Sequence, residues 1–139
     1  MEINIRRVSG TYHCESINAN GNTVSTDGAL NIGGTALGMR PMELVLVALG
    51  NCSLIDVVML LEKQRQVLDD IRVRIIAERE PDKVPSLFTD IHLHFTLIGS
   101  IDQKKAERAV QLSMDKYCSV GQILKHTARI HSSFEILAA

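Results

Sequence analysis

From Leu44 to Leu61 the chain reads Leu-Val-Leu-Val-Ala-Leu-Gly-Asn-Cys-Ser-Leu-Ile-Asp-Val-Val-Met-Leu-Leu, with Asn51, Ser53 and Asp56 as its polar side chains. Pro41 opens the stretch and suits a first helical position, where its missing N–H would be unpaired anyway. A helix apolar on every side must be buried on every side. The expectation is a long central helix over 41–66, with Cys52 in its middle and the rest of the chain as its cover. A membrane span is the competing reading, because roughly 20 apolar residues cross a bilayer. Asp56 near the middle argues against it, since a charge at bilayer centre costs a few kcal/mol even on the lenient scale, about 2.5 or more. The chain offers no second span.

With 139 residues, one domain over 1–139 is expected, long enough to bury a core without a disulfide scaffold. Fifteen basic and sixteen acidic residues leave a net charge of −1 with no like-charge run, which gives no sign of nucleic acid or an anionic membrane as partner. The opening Met-Glu-Ile-Asn-Ile-Arg-Arg lacks the layout of a signal peptide, so the cytoplasm is the expected location. Cys14, Cys52 and Cys118 cannot all pair within one chain, and no two have metal-site spacing. No metal and no cofactor is expected on that basis. A free cysteine in a reducing compartment is usually packed and inert.

Segment by segment, 1–40 reads as N-terminal strands and a Gly-rich loop. Ile3 and Ile5 alternate with polar neighbours, and Asn20-Gly21 is a hairpin-turn signal, so the meander should end near Ser25. Gly28 to Gly38 reads as an irregular loop approaching the core, without the Gly-Lys-Ser/Thr ending of a phosphate loop. A strand pair follows in 71–98, where Ile91, Leu93, Phe95 and Leu97 alternate against Asp90, His92, His94 and Thr96. Helices are expected in 102–126, with Ser100-Ile-Asp-Gln103 as a capping box and Ala106, Ala109, Val110, Met114 and Tyr117 on one face. A last strand over 128–137 closes an α+β chain.

Ser119 and Gln122 form a second capping box, which places Cys118 at a helix N-terminus, where a thiolate gains some stabilisation. Cys52 lies deep in its own helix, and a charged Asp56 at i+4 would oppose its ionisation. Cys52 therefore needs a cation from elsewhere in the fold; Arg6, Arg7 and Arg40 are the candidates by type. His92 and His94 share a strand face and His131 lies on another, a set that more often marks a solvated sheet face than a metal site. His126 lies near Cys118, but spacing alone gives it no role as a base. Ser53 lacks the strand–elbow–helix context of a hydrolase nucleophile, and a bond back to a helix carbonyl suits it better.

The Gly-rich lead-in, the run Arg-Pro-Met-Glu-Leu-Val-Leu-Val-Ala-Leu-Gly-Asn-Cys-Ser and the later Lys-Tyr-Cys-Ser-Val together resemble the OsmC/Ohr family, from about Asn20 to Ile136. That resemblance implies an OsmC-like α+β fold, with antiparallel sheets around a long buried helix, in an intertwined homodimer. It implies a thiol peroxidase acting on organic hydroperoxides, with Cys52 peroxidatic, Cys118 resolving, and an external dithiol, such as a lipoyl-type carrier, as reductant. Arg40 and Arg7 are the candidates for the family's activating arginine, and Glu43 for the carboxylate that orients it. Two positions depart from the pattern. Met42 stands where the carboxylate usually follows the proline, leaving Glu43 about 180° around an ideal helix from Cys52. Ser119 stands where proline usually follows the resolving cysteine. Cys14 matches nothing in the pattern and reads as a strand residue. The alternative is a non-catalytic dimeric small-molecule-binding or stress protein with packed cysteines; thiol chemistry on another electrophile, such as a thioester, is a third possibility.

Overall fold

A computed structural model describes all 139 residues, which divide into two compact units, 1–47 and 48–139. The first holds a meander of β1 (Ile3–Ser9), β2 (His13–Asn18) and β3 (Thr23–Thr26), antiparallel in the order β1-β2-β3. The turn before β3 forms where Asn20-Gly21 places it. Asn18 Oδ1 accepts the backbone N–H groups of Asn20 and Asn22, and Gly21 takes a φ of 83°. Cys14 is a β2 residue, opposite Arg7 and Thr26.

The Gly-rich stretch is wound on one carboxylate. Asp27, 2% exposed, accepts the N–H groups of Gly28, Thr35 and Leu37 and the Thr35 hydroxyl. Those bonds, led by the hydroxyl, hold its carboxyl down to about 2 against the opposing effect of burial. Gly34 is required by the closeness of the winding, since a Cβ there would lie 1.9 Å from the Gly28 carbonyl oxygen.

Helix α1 (Pro41–Lys63) begins in the first unit and runs through the second. At its start the Arg40 N–H donates to Glu43 Oε2 at 2.9 Å, the return bond of a capping box. It stops three residues short of Gln66, because Arg65 turns left-handed at φ 56° and the Gln66 N–H closes onto the Leu61 carbonyl.

In the second unit, β4 (Val67–Arg79), β5 (Phe88–Ser100) and β6 (Arg129–Leu137) form a sheet with β5 in the middle. Ile91, Leu93, Phe95 and Leu97 of β5 are fully buried, and Val73 and Ile75 of β4 stand opposite Phe95 and Leu93. One pairing departs from the antiparallel expectation: β6 runs parallel to β5, because the helices between them return the chain to the same end. The first of these, α2 (Gln103–Leu112), buries Ala106, Ala109 and Val110. Its cap is Asp102, which accepts the Lys105 N–H, rather than Ser100, which is the last residue of β5.

Within one chain α1 is not buried all round. Leu49, Gly50, Ser53, Val57 and Leu61 form a single buried stripe, while Ile55 and Met59 on another face are 57% and 61% exposed. Gly50 sets the approach to the sheet, since a Cβ there would stand 2.7 Å from Ile75 Cδ1. That atom is the tip of a flexible side chain and can swing aside. Alanine also recovers about 1 kcal/mol of helix propensity over glycine. Gly50→Ala should therefore leave the urea unfolding midpoint nearly unchanged. Gly50→Val, with two further methyls against Ile75, should destabilise by about 1–3 kcal/mol.

Candidate functional site

Cys52 and Asp56 are one turn apart on α1 and share a face. Cys118 arrives from the far end of the chain. After Leu112 the helix widens into a π turn over Ser113–Tyr117, closed by the Cys118 N–H on the Ser113 carbonyl at 2.8 Å. Cys118 then caps α3 (Ser119–Leu124). The Sγ atoms of Cys52 and Cys118 and a carboxylate oxygen of Asp56 all lie within 4.8 Å of one another. All three cysteines are free thiols, Cys118 buried and Cys52 half-buried.

Two buried serines fix the geometry. Ser53 Oγ donates back to its own helix, 2.8 Å from the Leu49 carbonyl and 3.1 Å from that of Gly50, as expected for a serine in mid-helix. Ser113 Oγ lies 3.2 Å from the Ser53 carbonyl and 3.4 Å from Asp56 Oδ2, so its hydroxyl ties the start of the π turn to α1. No sequence signal marks Ser113, because a π turn has no pattern of its own. The wider turn also rotates Tyr117 off the buried α2 face, leaving it 45% exposed against the periodicity that placed it there.

Burial governs the charges. The N–H of Gly121 donates to Cys118 Sγ at 3.3 Å, the helix-start interaction expected to favour a thiolate. Desolvation outweighs it, and with the neighbouring Cys52 and Asp56 it pushes the Cys118 thiol up to about 11. At pH 7 only about one Cys118 in ten thousand is then a thiolate. Burial also raises the Asp56 carboxyl, with the Ser113 hydroxyl partly opposing the shift.

Arg40 and Glu43 come together in the first unit, with the guanidinium 2.6 Å from Glu43 Oε1. The backbone and side-chain bonds from Arg40 hold the Glu43 carboxyl below its ordinary range. Arg6 pairs across the strands with Glu15 at 2.8 Å. The histidines do not gather as ligands: His92 and His94 both bond the Ser133 hydroxyl, at 2.9 and 2.8 Å, and His131 faces Asp90 at 4.0 Å.

The family model described as OsmC-like protein matches residues 33–133. Protein YhfA of Escherichia coli K12 is 42% identical over 141 residues, across the whole of both chains. A hypothetical protein from Aquifex aeolicus VF5 is 30% identical, and its crystal structure superposes with a TM-score of 0.85 over 99% of this chain and 96% of that one. An organic hydroperoxide resistance protein OsmC from Legionella pneumophila shares the fold, with a TM-score of 0.72 over 97% of each chain at 16% identity.

The placement of Asp56 has a measurable consequence. A carboxylate beside a thiol opposes its ionisation, so Asp56→Asn lowers the Cys118 pKa. Because burial is the larger cause, the change is modest. Alkylation of Cys118 at one mildly alkaline pH, followed by peptide mass mapping, should quicken on the order of two- to threefold; an unchanged or slower rate would contradict this arrangement.

Proposed function

The chain belongs to the OsmC-like family, and from that premise we propose that it is a cytoplasmic thiol peroxidase that reduces organic hydroperoxides. The observation that carries the reading is the convergence of Cys52 and Cys118, distant in sequence, to within 4.8 Å. Cys52, the less buried of the two, is the attacking residue. Its thiolate takes the distal oxygen of the hydroperoxide, the O–O bond breaks, and with one proton the products are a sulfenic acid and an alcohol. The Cys118 thiol then displaces water from the sulfenic acid to form a disulfide. An external dithiol, of lipoyl type in this reading, restores both thiols by exchange and leaves as its own disulfide.

The high pKa of Cys118 suits a resolving role. A thiol that stays protonated does not compete for peroxide, and it becomes a reductant only when a sulfenic acid forms beside it. The reading requires a cation to favour the Cys52 thiolate, and Arg6, Arg7 and Arg40 are its candidates by type. The apolar run of α1 that carries Cys52 favours organic peroxides over hydrogen peroxide, since apolar surface gives up less on meeting an organic group than on desolvating a small polar one.

The reading includes a homodimer. Ile55 and Met59 on α1, and Ile3 and Ile5 on β1, are large apolar side chains more than half exposed in one chain. A helix this apolar is better explained by a second copy than by water. Light scattering should give twice the chain mass, and Ile55→Glu should shift the protein toward monomer.

The decisive experiment treats reduced protein with a slight excess of cumene hydroperoxide or hydrogen peroxide and follows its mass. The expected product has lost two hydrogens and maps to a Cys52–Cys118 bond, forming faster with the organic peroxide. Cys52→Ser should abolish it. Both thiols left free by both oxidants would favour instead a binding or stress protein with packed cysteines.

A further inference from the structure

We propose that reduced Cys52 and Cys118, with Asp56, form a binding site for a soft divalent cation of the zinc class. This inference does not rest on the peroxidase reading, because it uses the thiols as ligands rather than as reductants.

The three ligand atoms form the one cluster of its kind in the chain, and they come from two separate elements. Cys52 and Asp56 are presented by consecutive turns of α1, and Cys118 by the π turn and α3 cap. Spacing along the sequence hides such a site, because no two of its cysteines are near neighbours in the chain. Two ligands of one tetrahedral zinc, each about 2.3 Å from it, are about 3.8 Å apart. A set already within 4.8 Å needs only small side-chain adjustments to close around an ion.

Ligand type selects the ion. Two thiolates with one carboxylate suit zinc and its softer relatives, whereas magnesium and calcium prefer oxygen throughout. Three protein ligands leave a fourth position for water or an added ligand. Supporting bonds are also present. The Gly121 N–H reaches Cys118 Sγ, and the Ser113 hydroxyl reaches Asp56 Oδ2, each touching a ligand from behind.

A dication replaces the two thiol protons, which leave to solvent, and offsets the mutual repulsion of the ionised ligands. Metal binding and a Cys52–Cys118 disulfide are therefore mutually exclusive states of the same residues.

The test titrates cobalt(II), a spectroscopic stand-in for zinc, into reduced, metal-free protein without oxygen or peroxide. Cys14→Ser serves as the parent, so that the strand cysteine contributes nothing. A thiolate-to-cobalt charge-transfer band should saturate at one ion per chain and disappear on addition of zinc. The band should be lost in Cys52→Ser and in Cys118→Ser. Parent protein alkylated at Cys52 after folding should also lack it, a measurement that does not depend on a variant folding. Asp56→Asn should keep thiolate character but weaken binding by about tenfold or more. Absence of the band in the parent, its survival in either serine variant or the alkylated protein, or parent-like affinity in Asp56→Asn would each overturn the proposal. With no peroxide present, none of these outcomes bears on the peroxidase reading.

Discussion

One buried hydroxyl ties together the two elements that carry the thiol pair. Ser113 Oγ reaches the Ser53 carbonyl from a position sixty residues further along the chain and also lies against Asp56, so two polar contacts fasten the start of the π turn to α1. A buried carbonyl in mid-helix already has its own N–H partner, so a second donor there acts as an anchor at little cost to the helix. Because the π turn closes from Ser113 to Cys118, fixing one end also fixes the thiol at the other. Side chains from two elements thereby meet within a few ångströms.

A second constraint concerns the helix that carries Cys52. Its buried stripe follows the helical period, and Gly50 lets it approach Ile75 on the sheet. The exposed Ile55 and Met59 show that the apolar character exceeds what this contact requires. Surface of that kind is normally covered by a partner, and the proposed dimer would use it.

Much of this was legible in the sequence, and the reasons are specific. The strict alternation from Asp90 to Leu97 could only be a strand with one dry face, and the run after Pro41 could only be a long apolar helix. The two cysteine segments pointed to the family, and Ser53 behaved as a serine in mid-helix should. What escaped depended on contacts between distant positions. The Gly28–Gly38 stretch looked like a loop approaching the core, yet its organiser is Asp27, a single carboxylate gathering four donors. The π turn left no periodic trace, so Tyr117 was placed on the wrong face. The helix start at Cys118 was read correctly as favouring charge, but burial, invisible along the chain, proved the stronger influence.

The parallel pairing of β5 with β6 has a bearing on how the protein is made. Cys118 lies in the crossover between these two strands, 66 residues after Cys52. During synthesis Cys52 emerges long before the residues that hold its neighbour in place. A nascent chain thus carries two unrelated thiols, and they become a pair only when the π turn packs on α1. Tertiary packing is itself the event that creates the site.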